Sequence, residues 1–229
     1  MTHRAGCRSV LVCLVGVLSF ACRATPARAT DTEQREFSVY VDGKEAGSSR
    51  MTLVQQDDGS AYMTASLDVK FRQLFVEYTL KIETKEWWKG GRLIGMETKS
   101  TENGKRSEVV VASDNNQLRM RINGQERAVN PDTWPNSFWK LPDAKFHNNK
   151  VPILEADNGK EVVCDLKYID TQQLKVGNQL QDCFHFRVSG GSAPIDVWFD
   201  RYHRLVRQEF TESGHKTIVQ LVNVRRQGK

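Results

Sequence analysis

Residues 63–71 read MTASLDVKF, in which Met63, Ala65, Leu67, Val69 and Phe71 alternate with Thr64, Ser66, Asp68 and Lys70. Successive side chains of a strand point to opposite faces, so this alternation describes a strand with one apolar and one wet face. The same period spreads outward. Upstream, Phe37, Val39 and Val41 alternate with Ser38, Tyr40 and Asp42, and Met51 shares a face with Leu53. Downstream, Leu74, Val76, Tyr78, Leu80 and Ile82 form a face running into Trp87 and Trp88. As neighbours, those two rings must take opposite sides. Gly90-Gly91, Asn103-Gly104, Asp114-Asn115-Asn116 and Asn123-Gly124 are hairpin turns. The second half repeats the habit over 162–168, 184–188, 195–199, 205–210 and 218–224.

Only 131–150 and 171–176 read as irregular, and no segment carries a helical period of useful length. The expected fold class is all-β, with roughly ten to twelve strands in one large antiparallel meander. A sheet of that size curls, here into an open half-barrel, with one short helix or loop closing the concave face.

The chain opens with Arg4 and Arg8 and no acid, then an apolar run over 10–21, then Ala27-Arg28-Ala29. Those are the three parts of a secretory signal peptide, and the run is too short to span a bilayer of ~30 Å. The expected organisation is a signal peptide over 1–29 and a single β-rich domain over 30–229, exported to the periplasm or beyond, with no transmembrane segment in the mature chain. A lipidated Cys22 is disfavoured, because Ser19 and Phe20 depart from a lipobox.

Residues 1–29 hold four of the 33 bases and none of the 28 acids, so the formal charge of +5 falls to +1 once they are removed. A near-neutral chain offers no broad field to phosphates, and no nucleic-acid partner is expected. Two cysteines remain, Cys164 and Cys183. An even count in an oxidising compartment predicts a Cys164–Cys183 disulfide, worth ~3 kcal/mol for a loop of about 20 residues. Cys164 is in phase with the apolar Val162 and Leu166, whereas Cys183 is out of phase with Phe184 and Phe186. Pairing them needs a bulge, or a sheet covered on both faces.

Chemistry-bearing groups are sparse. Asp182, Cys183, His185, Asp200 and His203 are the residues on which a metal site can be tested, but one Cys-x-His with a distant His lacks the paired spacing of a zinc site. Residues 189–192 (SGGS) lack the strand-to-helix elbow of a serine hydrolase. No cofactor, metal or catalytic residue is predicted. The stretch 131–142, PDTWPNSFWKLP, is different. Trp134, Phe138 and Trp139 fall at i, i+4 and i+5, so one helical turn would present all three rings on a face. Such a segment serves as a lid over an apolar hollow or as a plug that fills it. With Trp198, on a strand near a turn, these three are the candidate ligand contacts.

Phe37-Ser38-Val39-Tyr40-Val41-Asp42-Gly43-Lys44, with Gly47, resembles the opening of a group of bacterial envelope proteins of unknown function. So does Val197-Trp198-Phe199-Asp200 followed by Arg204-Leu205-Val206 and Gly214. Their fold is similar to the half-barrel of the periplasmic lipoprotein-localisation factors LolA and LolB, which hold acyl chains in the hollow. The resemblance implies a curved sheet with an apolar concave face. The expected protein is exported and non-catalytic, binding or carrying a lipid or other apolar small molecule. The alternative is a structural or interaction protein of the envelope with a filled core, and an enzyme would need His185 or His203 to meet an acid and a nucleophile in a cleft.

Overall fold

Period-two alternation becomes strand almost everywhere in the computed structural model, which describes residues 30–73, 76–114 and 117–227. The expected signal peptide (1–29), Leu74 and most of the 114–116 turn lie outside the described residues. The first half holds β1 (Thr30–Val41), β2 (Lys44–Gln56), β3 (Ala61–Gln73), β4 (Val76–Lys89), β5 (Arg92–Glu102), β6 (Lys105–Asp114), β7 (Gln117–Ile122) and β8 (Gln125–Val129). The second half holds β9 (Trp134–Pro135), β10 (Asn149–Leu154), β11 (Glu161–Val176), β12 (Gln179–Ser189), β13 (Ile195–Phe199), β14 (Leu205–Glu212) and β15 (His215–Gln227).

All fifteen join one sheet in the order β8-β7-β6-β5-β4-β3-β2-β1-β15-β14-β13-β12-β11-β10-β9. The first strand is therefore central. The chain meanders from it to the β8 edge, crosses to the other edge, and meanders back to lie beside its own start. Edges β8 and β9 do not pair, so the sheet is an open half-barrel. Across that gap the contacts are local. Arg127 donates to the Gly159 carbonyl, and the Asn130 amide donates to Glu161 Oε1 at 2.9 Å. Gly159 sits at φ +71° so close to β7 that a Cβ there would lie 2.5 Å from Ile122 Cδ1.

Three expectations change. Fifteen strands exceed the number counted in the sequence, partly because β9 and the start of β10 fall within the 131–150 stretch, and 171–176 is the end of β11 and not an irregular segment. A register shift between Tyr168 and Asp170 breaks the alternation there. The turn of helix expected over 134–139 is absent: Trp134 and Pro135 pair with Ile153 and Leu154, and Phe138 turns the chain at φ 43°. Among the described residues the one helical element is a 3-10 turn at Ala144–Phe146. Finally, Cys164 and Cys183 are free, buried thiols. Cys183 pairs with Gln172, eight positions along β11 from Cys164. That is roughly 25 Å of strand, and a disulfide needs Cα atoms within about 7 Å.

The hairpins give the half-barrel two distinct ends. Turns 57–60, 90–91 and 200–204 gather at one; turns 42–43, 103–104, 155–160 and 213–214 gather at the other.

Candidate functional site

Inward residues at the 90–91 end are large. Trp88, Trp134, Phe138 and Trp139 are all buried in the main core. The Trp88 ring lies 4.6 Å from Trp134 and 5.8 Å from Trp139, centroid to centroid. The Lys140 ammonium stands over the three indoles at 5.2, 5.1 and 5.6 Å, a cation–π arrangement. Backbone bonds from Leu205 N to Trp139 O (3.2 Å) and Leu141 N to His203 O (2.9 Å) tie the segment to β14 and to the turn before it.

Beneath these rings lies a carboxyl. Glu86 shares the inward phase of Thr84 and Trp88 and is fully buried. Its Oε2 accepts from Trp88 Nε1 and Trp139 Nε1, both at 2.9 Å. Burial pushes its pKa from 4.5 up to about 7 despite those donors. Its Oε1 and the hydroxyl of Ser137 are buried and meet no full hydrogen-bond geometry among the described residues. Yet Ser137 joins the two indoles in opposing the rise that burial causes, and its hydroxyl is able to donate to the carboxylate or accept from the protonated acid.

Towards the other end the inward side chains shrink and the half-barrel is hollow. A cavity of about 310 Å³ opens there, at the lower end of the ~300–1,000 Å³ typical of ligand pockets. One wall is Met51, Leu67, Leu80 and Ile82 from β2 to β4; the facing wall includes Ile153, Val188, Ile195 and Val219. Small residues, Ala65, Ala156 and Ala193, leave the space between them. Asn136 and Ser137 form its floor against the aromatic cluster. There Asn136 N donates to Leu154 O and its Oδ1 accepts from Ala156 N, each at 3.0 Å.

The mouth is acidic. Glu155, Asp157 and Glu212 line it, and no Lys, Arg or His does. Burial, then the charges of Glu155 and Glu102, raises the Asp157 carboxyl above its ordinary range. Glu212 is raised by burial and then by Asp157, Glu102 and Glu155. Tyr78 donates to Glu102 at 3.0 Å beside them.

The aromatic candidates therefore stand apart from the hollow. Trp134, Phe138 and Trp139 come together but as a plug, and none of them lines the cavity. Trp198 pairs with His185 and Arg207 on neighbouring strands, stacks on His185 at 4.2 Å, and donates to Gln172. Its strand neighbours Val197 and Phe199 take the opposite phase. Cys164 lines the hollow and Cys183 does not. His185 bridges Asp170 and Asp196 at 3.0 Å each, while Asp200 is paired with Arg35, so the metal set is dispersed over different partners. Sequence reading missed Glu86 and Arg35. Both were visible as charged residues at inward phases, Glu86 between Thr84 and Trp88 and Arg35 before Phe37 and Val39.

A β-barrel-like protein of the domain of unknown function DUF1849 from Brucella abortus has a similar structure. It matches over 88% of this chain and 100% of its own with a TM-score of 0.61 and 8% identity. At that identity the likeness is one of fold. A putative outer membrane lipoprotein-sorting protein domain from Vibrio parahaemolyticus aligns over 87% and 86% at 9% identity, with a TM-score of only 0.27. No curated protein matches the chain. The family model of the domain of unknown function DUF6134 matches residues 37–222, a span that reaches from β1 into β15, and the chain belongs to that family.

Proposed function

We propose that this is an exported, non-catalytic protein that holds an apolar ligand, a lipid or an acyl chain, in the hollow of its half-barrel. The observation that carries this reading is the cavity of about 310 Å³ walled by aliphatic side chains from both halves of one sheet. A core built only for stability closes such a space, because an unfilled apolar volume forfeits packing. The ligand contacts are Leu67, Leu80, Ile82, Val188 and Val219, in place of the four aromatic residues. No helix among the described residues is long and apolar enough to cross a membrane.

Native mass spectrometry with solvent extraction tests the reading on protein purified from an oxidising periplasm. A reproducible co-purifying apolar mass, lost when Ala65→Trp fills the hollow, is the expected result. A bare chain mass from several lipid-rich preparations overturns it and favours the structural alternative.

A further inference from the structure

We infer that the ligand is a cationic amphiphile, an aliphatic tail ending in an amine, with the tail in the hollow and the ammonium held by Asp157 and Glu212 at its mouth. This rests on the hollow being a ligand site and adds the charge of the headgroup.

The lining contains three carboxylates and not one basic side chain. Glu155 is partly answered by the Asn158 amide at 2.7 Å. Asp157 and Glu212 form no salt bridge among the described residues. Three other half-buried acids each meet two basic groups. Glu33 meets Arg35 and Arg226, Asp132 meets Arg92 and Lys145, and Glu209 meets Arg207 and Lys216. The mouth has no such partner for Asp157 or Glu212 among the described residues, and it surrounds the opening of an apolar cavity.

Burial raises the proton affinities of Asp157 and Glu212 most, and the neighbouring carboxylates, gathered at one partly desolvated opening, raise them further. A cation at that point relieves the repulsion, whereas a fatty carboxylate or phosphate head adds to it. A single ammonium fits better than a metal ion, since no three acidic, His or Cys groups converge as metal ligands among the described residues. The tail contributes burial against the aliphatic walls, and the headgroup contributes the choice between tails.

Three probes with the same ten-carbon tail, decylammonium, decanol and decanoate, separate the two contributions when titrated calorimetrically below their micelle concentrations at neutral pH. The expected order is decylammonium tightest, decanol about tenfold weaker and decanoate weakest, the scale of one charge-assisted hydrogen bond. In the double variant Asp157→Asn, Glu212→Gln the ratio of decylammonium to decanol affinity falls to about one. Equal binding of all three probes to the native protein, or a preference for decanoate, overturns the inference and leaves the hollow as a site for neutral tails. An ammonium preference that survives in the double variant also overturns it, by placing the cation elsewhere. Binding of none of the three overturns both this inference and the reading on which it rests. Should the double variant fail to fold, the probe order on the native protein decides the question by itself.

Discussion

The two ends of the half-barrel are built from the same strands with the same alternation, yet one is solid and the other is hollow. On β4 the change occurs within a few residues: Leu80, Ile82 and Thr84 line the cavity, and Trp88 belongs to the plug. Backbone pairing is equally regular at both ends, so the difference lies in the volume of inward side chains. Three indoles, Phe138 and Phe199 fill one end; Ala65, Ala156 and Ala193 leave the other open. A sheet curled this way makes a container, and the aromatic crossing segment is its stopper.

Truncation separates the ends most strongly. Trp139→Ala removes a buried ring from a packed cluster and is expected to cost about 3–5 kcal/mol in urea unfolding. Ile82→Ala, on the half-buried wall of the hollow, is expected to cost about 1 kcal/mol. Similar losses at both positions break the comparison, because they mean that the hollow is packed in solution.

Glu86 gives the plug a pH signature. Its folded pKa is raised from 4.5 to about 7, so its contribution is fully present below pH 4.5 and is lost as pH rises through 7. Over that window the loss is about 3 kcal/mol, from ~1.4 kcal/mol per unit. Glu86→Gln keeps an acceptor for both indoles and is expected to flatten the dependence. An unchanged pH profile in this variant contradicts the assignment of the titration to Glu86.

The seam between the edges is weaker. Gly159→Ala must hold an L residue at φ +71° and push Ile122 aside, an expected cost of about 1–2 kcal/mol. Unchanged stability means that the 155–160 turn does not press on β7. Ala65→Trp sharpens the contrast from the other side. It inserts a large ring into open space and is expected to change stability by less than about 1 kcal/mol, whereas overpacking a filled core costs ~1–3 kcal/mol.

Much of this architecture was legible from alternation alone. Met63, Ala65, Leu67 and Val69 read as one face, and Met63 and Val69 are buried while Ala65 and Leu67 look into the hollow. Trp87 and Trp88 split as neighbours must: Trp88 is buried, and Trp87 lies against Tyr62 at 5.4 Å on the other side. The failures come from pairing register, which a one-dimensional pattern does not contain. Cysteine parity suggested a bond that the β11–β12 register forbids. The aromatic triplet at helical spacing instead belongs to a two-residue strand and a turn, because Pro135 and the pairing to Ile153 hold it extended. Where filling stops and the hollow begins depends on which distant strands face each other, so the cavity walls were not readable as a set.

The most direct test of the stopper-and-container division is a crystal structure with a bromine-tipped long-chain alcohol, its bromine located by anomalous scattering. The expected position is between Leu80 and Ile82 on one wall and Val188 and Val219 on the other. Bromine among Trp88, Trp134 and Trp139, or only on the outer face beside Trp198, would contradict it.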